Sequence, residues 1–183
     1  DLRARQRRAE AEVDAAAKGQ RLHLGAGHVE PVGVAVAGGV VVAGAEQREE
    51  VCEAALSGMC TLLEADYAAI LLFGEDDRAH FVAWRGLSDE YRAAADGHSP
   101  WPPTEAGAQP VVVSDVGDCD LEPALCAQIV RQGIRSLAFF PLARHDRLLG
   151  KFMTYWARPH GCRPGHVVIG RVVALHVAAA LGR

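Results

Sequence analysis

The stretch 133–156, GIRSLAFFPLARHDRLLGKFMTYW, constrains the fold more than any other part of the chain. It holds two apolar runs of strand length, Ser136–Leu142 and Leu148–Trp156, on either side of a polar turn at 143–147 (ARHDR). Strands joined by so short a turn pair antiparallel. Neighbouring residues on a strand point to opposite faces, so Phe139 and Phe140 must divide between the two faces, as must Tyr155 and Trp156. A second hairpin is read at Tyr67–Phe73 and Ala79–Trp84 around the turn-rich GEDDR, and Val111–Val113 adds a short strand.

Helical periodicity surrounds these strands. Over 46–65, Val51, Ala55, Met59 and Leu62 recur at helical spacing, flanked by Cys52, Leu56 and Leu63. Ser88 is placed to cap a short helix, with Asp89 and Glu90 in its first turn and Gly97 at its close. Asp120 is placed to cap another that runs to about Gln132, with Leu121, Leu125 and Ile129 on one face. Pro164 opens a last helix over 165–182, whose Val168, Val172, Leu175 and Ala179 form a face broad enough for burial on more than one side. With helices at both ends covering one face of a sheet, the order predicts an α+β layer arrangement.

Residues 2–18 read as a thin-striped, Ala-rich helix that needs a partner, and 21–45 as a Gly/Ala/Val-rich linker or hairpin. The chain opens at Asp1, and is read as a piece of something longer; residues 1–20 lack the apolar core of a secretory signal. Half of the 183 residues are apolar, enough for a real core. Nineteen basic against 23 acidic residues give −4, which excludes a dominant nucleic-acid surface. No uncharged, unbroken apolar run reaches bilayer-spanning length. Five cysteines without CxxC spacing fit a reducing cytosol.

Taken together, LLEADYAAILLF (62–73), VAWRGLSDEYR (82–92), GHSPWPP (97–103), PVVVSDV (110–116) and the 133–156 stretch resemble a GAF domain over about residues 46–182. The GHSPWPP loop is similar to that of GAF domains in bacterial sensor histidine kinases. The resemblance implies a central antiparallel sheet of five or six strands with the terminal helices on one face. It places a small-molecule pocket on the other, roofed by the short helix, the long loop and the 120–132 helix. It also implies a dimerising sensory module that signals through its terminal helices. Fold alone does not fix the ligand.

Sharper chemistries of the family fit less well. A bilin-bearing Cys, placed by that subfamily's spacing back from Gly133, falls on Leu121; Cys119 and Cys126 are off register and neither precedes a His. A GAF-type free methionine sulfoxide reductase needs a low-pKa thiol, but Cys119 lies between Asp118 and Asp120, and the relevant loop carries Pro, Trp and Gly. Lys151-Phe152 lacks the Asn and the later Asp-Glu of the cyclic-nucleotide signature, and GCRPGHVV weakens the usual cap of the last helix. The eight His are scattered, and His160-Gly161-Cys162 reads as a loop pair without a metal. His98 could hydrogen-bond a ligand or ligate haem; its plainer role, with Ser99, is to close the preceding helix while Trp101 plugs the core.

The reading is a linker helix at 1–20, the linker or hairpin at 21–45, and a GAF domain with a C-terminal signalling helix at 46–183. The candidate ligand-binding residues are Arg85, at a strand end facing the short helix, Tyr91, His98, Trp101, Asp115 and Phe139. No catalytic or metal-binding residue and no named cofactor is assigned, and the chain is not read as an enzyme. The expected function is sensory, in a cytoplasmic signal-transduction protein, a histidine kinase. The implied partners are a small-molecule ligand, a second copy joined through the terminal helices, and an output domain of the same polypeptide, with no nucleic acid and no membrane insertion. The alternative is a ligand-free structural dimerisation module.

Overall fold

The computed structural model describes residues 45–118 and 122–182, with side chains from Arg48 onward. The expected elements of residues 1–44, together with Cys119, Asp120 and Leu121, lie outside the described residues. The elements run α1 (Ala45–Leu62), β1 (Tyr67–Phe73), β2 (Ala79–Arg85), α2 (Asp89–Ala95), β3 (Val111–Val113), a 3-10 turn (Val116–Asp118), α3 (Pro123–Arg131), β4 (Ser136–Arg144), β5 (Arg147–Trp156) and α4 (Pro164–Leu181). The strands form one sheet of five in the order β2-β1-β5-β4-β3, antiparallel throughout.

The β4–β5 hairpin is the centre of that sheet. Its turn is tighter than the 143–147 loop expected: pairing continues to Arg144 and Arg147, leaving His145 and Asp146 at the tip. His145 takes a left-handed φ of 52° there, as tight hairpin tips require. The strand alternation divides the aromatic pairs as expected. Phe140 and Trp156 face the terminal helices with Ile70 and Phe152, whereas Phe139 and Tyr155 face the opposite layer with Leu71 and Met153.

The helix-side core sets Cys52, Leu56 and Met59 of α1 and Ala174, Val177, Ala178 and Leu181 of α4 against that first face. The Trp156 indole N–H donates to the Leu63 carbonyl at 3.1 Å, so the largest buried side chain leaves no donor unpaired. Two expected helix faces are corrected here. On α1 the buried ridge is Cys52–Leu56–Met59, continued by Leu63, and Leu62 is exposed. On α4, Val168, Val172 and Leu175 are each more than half exposed, while smaller residues at 170, 174 and 178 pack inward. A helix apolar all round carries no sequence signal of which side is in. Gly170 lets the helix approach Phe140 closely, and Val177 and Leu181 fill the inner side farther along.

Two caps differ as well. Glu122 occupies the N-cap of α3, and Pro123 opens the helix. At α4, where the usual cap is missing from the sequence, His166 reaches back instead: the Arg163 backbone N–H donates to His166 Nδ1 at 3.3 Å, and the His166 backbone N–H donates to the Arg163 carbonyl at 2.9 Å. α4 is also the one described helix long and apolar enough to cross a membrane by length and composition, and its inner face belongs to the core.

Candidate functional site

The second layer, α2, α3 and the loop 97–103, packs on the sheet face that presents Leu71, Leu137, Met153 and Tyr155. α2 is started by Ser88, whose hydroxyl accepts the Tyr91 backbone N–H at 3.2 Å, with Asp89 and Glu90 in the first turn. That start aims Tyr91 inward. Its ring meets Tyr155 edge-on, with centroids 5.8 Å apart. Burial pushes the Tyr91 phenol up to about 12 and drives Tyr155 upward too, so both stay neutral. The Tyr155 hydroxyl donates to Met153 Sδ at 3.2 Å.

The loop 97–103 lies over the same face. Trp101 is buried and meets Phe139 of β4 edge-on at 6.4 Å, and its backbone N–H donates to Ser99 Oγ at 3.3 Å. The His98 imidazole is exposed, with Nδ1 3.3 Å from the Asp96 carbonyl oxygen. Asp96 ties this corner to the sheet. Its carboxylate accepts the Phe81 N–H at 3.2 Å and lies 2.8 Å from His80 Nδ1, while His80 Nε2 lies 3.0 Å from both Asp76 oxygens.

Beneath the loop lies a residue that the sequence reading did not select. Lys151 of β5 is only 2% exposed, in the same face as Met153. Its ammonium donates to the His98 carbonyl and sits 5.2 Å from the Phe139 ring centroid. Among the described residues no carboxylate forms an ion pair with it. Burial pushes the amine down to about 7, with the Asp96 charge opposing in part. The signal was present in the sequence: Lys151 is the lone charge inside the apolar run 148–156.

Tyr91, Trp101, Phe139 and the His98 backbone therefore share one layer with Lys151, and two other candidates stand apart from them. Asp115 caps the 3-10 turn: its Oδ1 accepts the Gly117 N–H at 2.9 Å, and Oδ2 lies 3.5 Å from Arg135 Nη2. Those two partners hold its carboxyl below the usual range, the Gly117 N–H foremost. Arg85 does not face the short helix. It pairs with Glu53 of α1 at 3.0 Å, on the helix side of the sheet. The cause is a β-bulge. Ile70 and Leu71 of β1 oppose Ala83 and Phe81, so Val82 is an extra residue in β2 and reverses the alternation beyond it. Trp84 takes the place expected of Arg85, and the Arg92 guanidinium stacks over its ring at 3.8 Å.

An open groove of about 430 Å³ lies between α1 and the β2 edge, lined by residues that include Arg48, Cys52, Val82, Trp84 and Leu181. Among the described residues no group of three or more His, Cys, Asp or Glu is arranged to hold a metal ion.

The His80 clasp gives a pH prediction. Asp96 first, then Asp76, pushes the His80 pKa above its ordinary 6.5. A raised folded pKa contributes stability that is fully present below 6.5 and lost as pH rises through the folded value. Thermal melts should therefore show a small increment lost on that upward passage, and His80→Asn should remove it. An unchanged profile in His80→Asn would mean that the clasp carries no linkage.

The comparisons with known proteins agree with this architecture. A domain assigned to a two-component sensor histidine kinase protein of Sinorhizobium meliloti 1021 is 41% identical, with a TM-score of 0.69 over 74% of this chain and 91% of that one. The blue-light-absorbing form of the Thermosynechococcus elongatus PixJ GAF domain is 16% identical with a TM-score of 0.62, covering 76% and 89% of the two chains. The GAF domain/HD domain protein of Geobacter sulfurreducens is 16% identical with a TM-score of 0.57, covering 74% and 92%. The latter two show the fold alone. No curated protein matches the sequence. The GAF domain family profile matches residues 45–182, the same span in which the five-stranded sheet carries helices on one side and the loop layer on the other, and the chain belongs to that family.

Proposed function

We propose that this domain is the non-catalytic sensory module of a cytoplasmic histidine kinase, that it binds a small molecule on the loop face, and that α1 and α4 relay occupancy to an output domain of the same polypeptide. The observation that carries this reading is the asymmetry of the two sheet faces. The helix side is closed by aliphatic and aromatic side chains, whereas the loop side sets a buried amine against Phe139 and the His98 carbonyl beneath a proline-rich loop, with Trp101 packed on Phe139 and the Tyr91–Tyr155 pair farther along the same face. An aromatic layer with one polar group is the usual composition of a small-ligand site. The 41% identity to the Sinorhizobium domain supports the kinase context.

The outward stripe Val168–Val172–Leu175 supports pairing with a second copy. It spans two turns of one helix, and a two-fold dimer needs only one self-complementary stripe. Light scattering should report a dimer, and Leu175→Glu should shift it to monomer with the fold retained. A monomeric parent at high concentration would remove the dimer from the proposal.

Native mass spectrometry of the purified chain tests the ligand. A noncovalent small-molecule adduct is the expected result. A second reading, the ligand-free dimerisation module, is favoured by Trp101, whose burial edge-on to Phe139 fills space under the loop. A bare mass from a dimeric chain, with no thermal shift across a metabolite panel, would select that reading and reject the sensory one.

A further inference from the structure

We propose that the ligand of the loop face is a small planar acid, an aromatic or conjugated body bearing a carboxylate, and that Lys151 Nζ takes the carboxylate. The inference rests on the sensory reading above and names the ligand class for that site.

An ammonium has three N–H donors. Among the described residues Lys151 spends one, on the His98 carbonyl, and faces the Phe139 ring with another side. Among the described residues no carboxylate lies within ion-pair reach. The nearest in effect, Asp96, is already engaged by His80 and the Phe81 N–H. Two tyrosines on this face, Tyr91 and Tyr155, remain neutral. A buried cation without a counter-ion is among the costliest arrangements a core can hold, and its simplest completion is an anion brought from outside.

The surroundings say what that anion is attached to. Phe139 lies beside the amine, and Trp101 meets Phe139 edge-to-face. Such rings accept a further ring in the same offset or edge-on manner. A carboxylate is also the acceptor that best replaces a carbonyl on an amine, since the hydrogen bond becomes charge-assisted on both sides. In taking that place it releases His98 from the sheet. The Gly97 N–H stays on the Ala79 carbonyl of β2, so the exchange frees the loop beyond Gly97, and occupancy becomes a change of position of the 98–103 segment.

Calorimetric titration of the full chain with matched pairs tests this: cinnamate against cinnamamide, and benzoate against benzamide. The carboxylates should bind about tenfold or more tightly than their amides. Lys151→Met should cost the carboxylates a similar factor and leave the amides nearly unchanged. Equal binding of acid and amide, or carboxylate binding that survives Lys151→Met, would overturn the acid class while leaving a small-molecule sensor standing. Failure of every probe, together with a bare mass in the native spectrum, would reject both the inference and the reading beneath it.

Discussion

Lys151→Met should stabilise the domain, by about 2–4 kcal/mol below pH 7, and the gain should shrink as pH rises toward 10.5. Burial moves the folded-state amine from 10.5 down to about 7, so the unfolded chain binds more protons than the folded one between those values. Stability of the parent therefore rises with pH across that window. Below it the full cost of holding the ammonium in the core is present. Methionine removes that cost and keeps an unbranched apolar stem in the same space. It gives up the hydrogen bond to the His98 carbonyl, on the order of 1 kcal/mol, which brings the roughly 5 kcal/mol of that displacement down to the upper end of the range. Urea denaturation of both proteins across the pH series measures the difference. A flat parent profile, or a less stable variant, would show that the amine is solvated and would remove the basis for the Lys151 site. The His80 increment has the opposite slope, and His80→Asn separates the two. Stability given up at one buried charge is the usual mark of a group kept for binding.

The hairpin 136–156 and the split of its aromatic pairs were legible because strand alternation is a two-state rule: once Phe140 faces the helices, Phe139 cannot. The rule fails where its count is broken. Val82 is an extra residue with no sequence mark of its own, and past it Arg85 and Trp84 exchange faces. The faces of α4 failed for another reason. Large and small apolar residues stand on both sides, Gly170, Ala174, Val177 and Leu181 inward and Val168, Val172, Leu175 and Ala179 outward, so apolarity alone does not tell the sides apart; inward Gly170 lies so close to Phe140 that a Cβ there would be 2.3 Å from that ring. The loop 97–103 and its place over the sheet came from family resemblance, since Pro and Trp in a loop have no periodicity to read. Lys151 is the instructive miss. Its alternation with Met153 and Tyr155 already placed it on the loop face, but a single lysine is ordinarily a solvated residue, and its burial depends on a loop some fifty residues earlier in the chain.

Gly150→Ala should destabilise the domain by about 3 kcal/mol or more, while Gly58→Ala, the same added methyl, should stabilise it by about 0.5–1 kcal/mol. Gly150 lies in β5, the middle strand, paired with Leu72 on one side and Leu142 on the other. A Cβ there would fall 2.0 Å from the Leu71 carbonyl oxygen and 2.7 Å from Leu72 Cα. Both are backbone atoms of a hydrogen-bonded neighbour, so no rotamer change relieves the clash; the β1–β5 pair must spread or β5 must bulge. Gly58 lies in α1 with nothing within 4 Å of a Cβ, and an alanine there only narrows the unfolded ensemble and improves helix propensity. Chemical denaturation of the two variants beside the parent gives both signs in one experiment. The consequence reaches the site, because Lys151 follows Gly150 and pairs with Leu71. A β5 displaced from β1 carries the amine away from the His98 carbonyl, so Gly150→Ala should also flatten the rise in stability between pH 7 and 10.5. A Gly150→Ala protein with parental stability and the parental pH profile would mean that the sheet tolerates a side chain where its two backbones are in contact, and that Lys151 is not held by the register of β1 and β5.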